Sequence, residues 1–215
     1  TRVMEFSGEY GEQTFSLGFK PELVLCDYNE KTSDATIDET IFAREAETIS
    51  FMGTDCKAVI EAIDDTAMLR VTCNFVAPDD FSEEIEGLTL VPTRYWLVES
   101  ITPETFAAQL QFTYSCISLN SYEYGYIDSN LRDSLVLVFR SDKSQNWRIL
   151  QAEHSKARQR FTTQSWANGE YALAMRNGYS GISMNEKSFF SVFPNPTTGM
   201  LKITFNENFK GEVTV

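Results

Sequence analysis

Two stretches of strict alternation constrain this chain more than any other feature. From Phe106 to Tyr114, the residues Phe106, Ala108, Leu110, Phe112 and Tyr114 take every second position, with Ala107, Gln109, Gln111 and Thr113 between them. Earlier, Leu69, Val71, Cys73 and Phe75 alternate with Met68, Arg70, Thr72 and Asn74. A side-chain period of two puts each set on its own face of a strand, one buried and one wet. That is the signature of antiparallel sheet. Leu135 to Phe139 is a continuous apolar run, which suits a strand covered on both faces. Shorter strand patterns appear at Arg2–Ser7, Gln13–Phe19, Leu23–Cys26, Ala35–Ile41, Tyr95–Val98, Trp147–Leu150, Gln159–Thr163 and Glu170–Met175. Arg44–Ser50 and Cys56–Ala62 read equally as strand or as a helical turn. Ser115 to Asn130 reads as a long polar loop carrying Tyr122, Tyr124 and Tyr126.

Many spaced strands and few helices predict an all-β protein built from antiparallel β-sandwiches. Pro78 and Pro92 bracket a stretch of poor periodicity, so the expected division is a first sandwich over 1–80, a connector over 81–92 and a second sandwich over 93–176. Gly and Ser residues make 177–189 a linker, leaving 190–215 as a separate terminal segment.

The 215 residues suffice for one large or two ordinary domains with a tail. Sixteen Phe and nine Tyr agree with strand structure. The formal net charge of -13 argues against nucleic acid, whose phosphates need clustered Lys and Arg. No apolar run approaches the length of a membrane span. Thr1 opens no signal peptide, and the missing initiator Met suggests further sequence upstream. The cysteines, Cys26, Cys56, Cys73 and Cys116, have no CxxC spacing, which disfavours a zinc cage; disulfides and buried free thiols are both open.

Little of the sequence carries chemistry. His154 is the single histidine, in the polar stretch Glu153-His154-Ser155, where it reads as a surface residue. The acid pairs Asp64-Asp65, Asp79-Asp80 and Glu83-Glu84 lie in turns, and adjacent acids do not span a glycosidase cleft. Asp27, Asn29 and Asp34 gather the hard oxygen ligands a calcium ion would need, without an EF-hand pattern. Trp96, Trp147 and Trp166 could stack on sugars; Trp166, beside Asn168-Gly169, is the best candidate for exposure.

The terminal segment is more specific. Phe193-Pro194-Asn195-Pro196-Thr197-Thr198-Gly199 leads into Leu201, Ile203 and Phe205, which alternate with Lys202 and Thr204. Two prolines and a glycine at this spacing make a turn feeding a strand. The string F-P-N-P-T-T-G-x-L-x-I resembles the start of the C-terminal sorting domain of the type IX secretion system of Bacteroidetes. The resemblance rests on Phe193, Pro194, Asn195, Pro196, Thr198, Gly199, Leu201 and Ile203. It implies export through the periplasm and across the outer membrane, to the medium or cell surface, with the secretion machinery as partner. The family's domain runs on for several more strands, so the expectation is a truncated β sorting domain, with Gly211–Val215 as its second strand. Asp65-Thr66-Ala67 and Asp133-Ser134-Leu135 also resemble the O-glycosylation signal of the same bacteria.

A second resemblance lies upstream. Lys20-Pro21-Glu22-Leu23-Val24, Ser33-Asp34-Ala35-Thr36, Arg94-Tyr95-Trp96, Asp133 to Arg140, Trp147 and Gly169-Glu170-Tyr171-Ala172-Leu173 are similar to the C-terminal region of exported zinc peptidases of the aminopeptidase-N-like family. This implies a catalytic zinc domain upstream, with the present chain as a non-catalytic accessory region needing no cofactor of its own. No HExxH occurs, so none of that family's catalytic residues maps onto this chain. The alternative is a cell-surface adhesion or carbohydrate-binding module, presenting Trp166 or the tyrosines from Tyr122 to Tyr126.

Overall fold

Both stretches of strict alternation are strands. β4 (Ala67–Asn74) and β6 (Phe106–Thr113) bury Leu69, Val71 and Cys73 on one and Ala108, Leu110 and Phe112 on the other. The computed structural model describes residues 14–24, 35–176, 190–193 and 202–205, the last two segments as backbone. Around β4 and β6 lie β1 (Thr36–Ala43), β2 (Thr48–Phe51), β3 (Cys56–Ile63), β5 (Leu88–Ile101), β7 (Leu135–Arg140), β8 (Arg148–Ile149), β9 (Ala152–Ser155), β10 (Arg160–Thr163) and β11 (Gly169–Arg176). A single 3-10 turn, Arg132–Ser134, precedes β7 among the described residues.

The strands make two antiparallel sheets, a six-stranded one ordered β1-β4-β5-β11-β7-β8 and a five-stranded one ordered β2-β3-β6-β10-β9. The chain is therefore all-β. The two ambiguous segments resolve as strand: β2 and β3 pair as a hairpin with Thr48 opposite Val59 and Phe51 opposite Cys56. One core cluster takes side chains from both sheets, including Leu69, Val71, Trp96, Leu137 and Tyr171 from the larger and Phe51, Ala58, Leu110, Phe112 and Phe161 from the smaller. Trp96 lies 5.1 Å from Phe112, and Phe112 lies 4.7 Å from Tyr171, so aromatic rings bridge the layers. Each such side chain contributes about 1.5–3 kcal/mol by leaving water.

The expected division at 81–92 is not how these strands assemble. β1 and β4 share one sheet with β5, β7 and β11, while β2 and β3 share the other with β6 and β10. Strands from both sides of the supposed connector are thus interleaved, and Thr1–Asn177 is one compact unit. The connector itself has a packing role. Phe81 and Ile85 pack against a second cluster of Leu88, Leu90, Val138, Trp147, Ala172 and Ala174. Val138 and Ala172 alternate with Leu137, Leu173 and Tyr171 of the main core, so β7 and β11 are covered on both faces. That double cover explains the unbroken apolar run at 135–139.

Pro92, read as a boundary, lies inside β5. Ala172 of β11 faces Tyr95, but Ala174 faces Leu90, so β5 carries extra residues between them and bulges. β4 pairs with β5 only from Tyr95 onward, so the missing N–H of Pro92 falls beyond that ladder. Two other expectations change. Gln13–Phe19 is not a strand over its described residues: Phe19 is 70% exposed, and alternation without a neighbouring strand to pair with does not make a sheet. Leu23 and Val24 are likewise non-strand.

The second compact unit is Gly178–Val215. Its described parts are β12 (Phe190–Phe193) and β13 (Lys202–Phe205), paired antiparallel with Phe190 opposite Phe205 and Phe193 opposite Lys202. The expected strands Arg2–Ser7 and Gly211–Val215, Cys26, the calcium candidates Asp27, Asn29 and Asp34, and the linker over 177–189 lie outside the described residues.

Candidate functional site

Of the residues that carry the sorting resemblance, Phe193 ends β12 and Ile203 lies in β13 opposite Val192. Pro194, Asn195, Pro196, Thr198, Gly199 and Leu201 fall between and lie outside the described residues.

His154 sits on β9, opposite Phe161 of β10, with the two rings stacked at 4.1 Å and 15°. Its Nε2 is 2.8 Å from the Tyr114 hydroxyl. Burial, then Cys116, pushes the Tyr114 phenol up to about 12, so it keeps its proton. Burial and then the nearby Lys156 hold His154 below its ordinary value, with Arg132 adding to this and Asp133 opposing it. The pair fits a tyrosine donating to a neutral imidazole. Lys156 in turn pairs with Asp133. The ring is thus packed against Phe161, and its Nε2 is engaged by Tyr114.

The most buried charges were not singled out from the sequence. The β5 bulge turns Arg94 inward, where its side chain is 1% exposed. Its Nε donates to Glu123 Oε1 at 2.7 Å, Nη1 to Asp55 Oδ2 at 2.7 Å, and Nη2 to the Thr113 carbonyl at 3.1 Å. Burial opposes the guanidinium charge, but Glu123, Cys73 and Asp55 outweigh it and hold Arg94 above its ordinary value. Glu123 is fully buried and also accepts from the Ser115 amide at 2.9 Å. Asp55 has φ of 55° and is held by Arg94 in the turn between β2 and β3. Arg94 therefore ties the loop 115–131 and a hairpin turn to the core. No local pattern announces such pairs, because the partners lie 29 and 39 residues away.

Arg140 makes a second tie. Directly opposite Glu170 across β7 and β11, it donates to Glu170 at 2.6 Å and to Asp79 at 2.7 Å, with its guanidinium 4.4 Å from the Trp147 ring. Arg140 holds the Asp79 carboxyl below its ordinary value. Of the other paired acids, Asp64 accepts from the Thr105 amide and Asp65 from the Thr66 amide, while Asp80, Glu83 and Glu84 are exposed. Among the described residues no three His, Cys, Asp or Glu side chains cluster as metal ligands. No helix among them is long and apolar enough to cross a membrane. Cys56, Cys73 and Cys116 are buried free thiols, with burial pushing Cys73 up to about 11. Of the two glycosylation-like sites, Thr66 is exposed, whereas Ser134 is buried and donates to the Leu131 carbonyl at 2.7 Å.

Trp96 and Trp147 are core residues; their Nε1 atoms donate to the carbonyls of Thr54 and Asp79. Trp166 is half-buried and borders a groove of about 310 Å³ lined by Glu61, Thr102, Phe106, Gln164 and Ser165. Its ring meets Phe106 edge-on at 5.9 Å and 84°, so the two do not form a coplanar patch. Tyr122, Tyr124 and Tyr126 are all exposed, with Tyr122 leaning on Phe75 at 4.6 Å. No family model, curated protein or solved structure matches this chain.

Proposed function

We propose that this chain is a non-catalytic accessory sandwich of an exported protein, followed by a type IX sorting segment. The observation that carries the reading is the string from Phe193 to Ile203, whose two ends are paired strands: Phe193 opposite Lys202 and Val192 opposite Ile203. A Pro-Asn-Pro turn with a following glycine is suited to closing such a pair, since Pro fixes φ and Gly accepts conformations that other residues resist. The accessory role is supported by how the charged side chains of 35–176 are used. Arg94, Arg140 and His154 are each engaged in holding loops or strands, which is the work of a scaffold. The partners are then the secretion machinery and an upstream domain, a zinc peptidase by resemblance. Export is tested in the parent protein by the pair Pro194→Ala and Gly199→Val. Loss of surface or medium material, with an unchanged unfolding midpoint for the sandwich, is expected. Undiminished export of the doubly substituted protein contradicts the reading.

A further inference from the structure

We propose that the groove beside Trp166 binds a short stretch of a neutral oligosaccharide chain. The groove lies where the turn after β5, the start of β6, the bulge of β3 and the loop between β10 and β11 meet. Its wall is set before any ligand arrives. Trp166 Nε1 donates to Ser100 Oγ at 2.9 Å and to Asn168 Oδ1 at 3.2 Å, while Asn168 Nδ2 donates to the Ser100 carbonyl at 3.1 Å. The indole N–H is thus already satisfied. Phe106 braces the ring edge-on, so the remaining exposed indole surface is an apolar wall that costs no rotamer freedom to use.

A second observation points the same way. Ile60 of β3 faces Ala108 and Ala62 faces Ala107, so Glu61 between them is the extra residue of a β-bulge. Bulges re-aim side chains, and this one puts an exposed carboxylate on the lining of the Trp166 groove. Thr102, Gln164 and Ser165 add hydroxyl and amide groups to the same lining.

A sugar ring offers an apolar C–H face and a rim of hydroxyls, and this lining offers an aromatic wall and a polar rim. A wholly apolar ligand would leave Glu61 and Gln164 without partners on desolvation. A carboxylate accepts from hydroxyl donors, but repels uronic or sulfated sugars, as does the chain's charge of -13. The volume sits at the small end of the range of about 300–1,000 Å³ for ligand clefts, enough for a short stretch of a longer chain. This inference is independent of the sorting assignment.

The whole 215-residue chain can be titrated calorimetrically with cellohexaose, laminarihexaose and mannohexaose, and with polygalacturonate as the acidic probe. Saturable binding of at least one neutral probe is expected, weakened roughly tenfold by Glu61→Gln, which removes a charge-assisted hydrogen bond. Trp166→Ala abolishes it. Because Trp96 and Trp147 are buried, a change in tryptophan emission on binding reports Trp166. Glu61 is exposed, so Glu61→Gln carries the test if Trp166→Ala does not fold. Absence of binding to every neutral probe at about 10 mM overturns the proposal. So does stronger binding of polygalacturonate, or binding that survives both substitutions unchanged.

Discussion

At the scale of single residues, the fold concentrates its cost and its specificity in a few buried charges. Arg94 and Glu123 are an ion pair with side chains 1% and 0% exposed, and removing Glu123 leaves the buried guanidinium with only the half-exposed Asp55 and the Thr113 carbonyl. Glu123→Ala is expected to destabilise the sandwich by about 3–5 kcal/mol, measured by urea unfolding. Asp55→Asn, at a half-exposed carboxylate and with a residue that tolerates positive φ, should cost no more than about 1 kcal/mol. Equal effects would mean that the Arg94–Glu123 pair does not tie the 115–131 loop to the core. His154 makes a prediction with a sign. Its folded pKa is lowered by burial and by Lys156, so between the unfolded value of about 6.5 and that lower value the unfolded state binds more protons. The His154 contribution is therefore full above about pH 6.5 and falls as pH drops below it. His154→Gln keeps an acceptor for Tyr114 and removes this slope. A wild-type stability curve parallel to that of the variant from pH 7 to about 5 would contradict it.

At the scale of elements, turns and bulges decide what alternation cannot. Gly169 opens β11 with φ of 143°, and a Cβ there would lie 2.4 Å from the Arg140 carbonyl oxygen and 2.8 Å from the Phe139 ring. Gly169→Ala is expected to cost about 2–4 kcal/mol through backbone strain and overlap; a loss under about 0.5 kcal/mol would contradict the close approach. Strand identity was largely legible in the sequence. The alternation read over 67–76 and 106–114 forms strands over Ala67–Asn74 and Phe106–Thr113, and the apolar run at 135–139 lies in β7, because a period of two is set by the backbone itself. The features that were not legible depend on partners distant in sequence. Pro92 reads as a breaker, yet it lies in β5 because the bulge puts it beyond the β4 ladder. The alternating Phe15, Leu17 and Phe19 read as a strand, but they are exposed and no strand forms there. At the groove, Trp166 was legible as the least buried tryptophan, whereas Glu61 was not, since a bulge shows only once the register of β3 on β6 is known.

At the scale of the molecule, interleaved strands make 35–176 one cooperative body. Native-state hydrogen exchange should give the interior amides of β4 and β11 the same opening free energy, because neither strand can leave without exposing the shared core. Opening of residues 36–74 while β11 stays protected would restore the division at 81–92. The proposed function rests on the segment C-terminal to that body: a paired β12 and β13 joined by residues with the features of a secretion address. Fractionation of the full-length parent with everything from Phe190 onward removed tests this most directly. The account predicts that the truncated protein accumulates in the periplasm with its sandwich folded and protease-resistant; its appearance at the cell surface or in the medium at the untruncated level would contradict it.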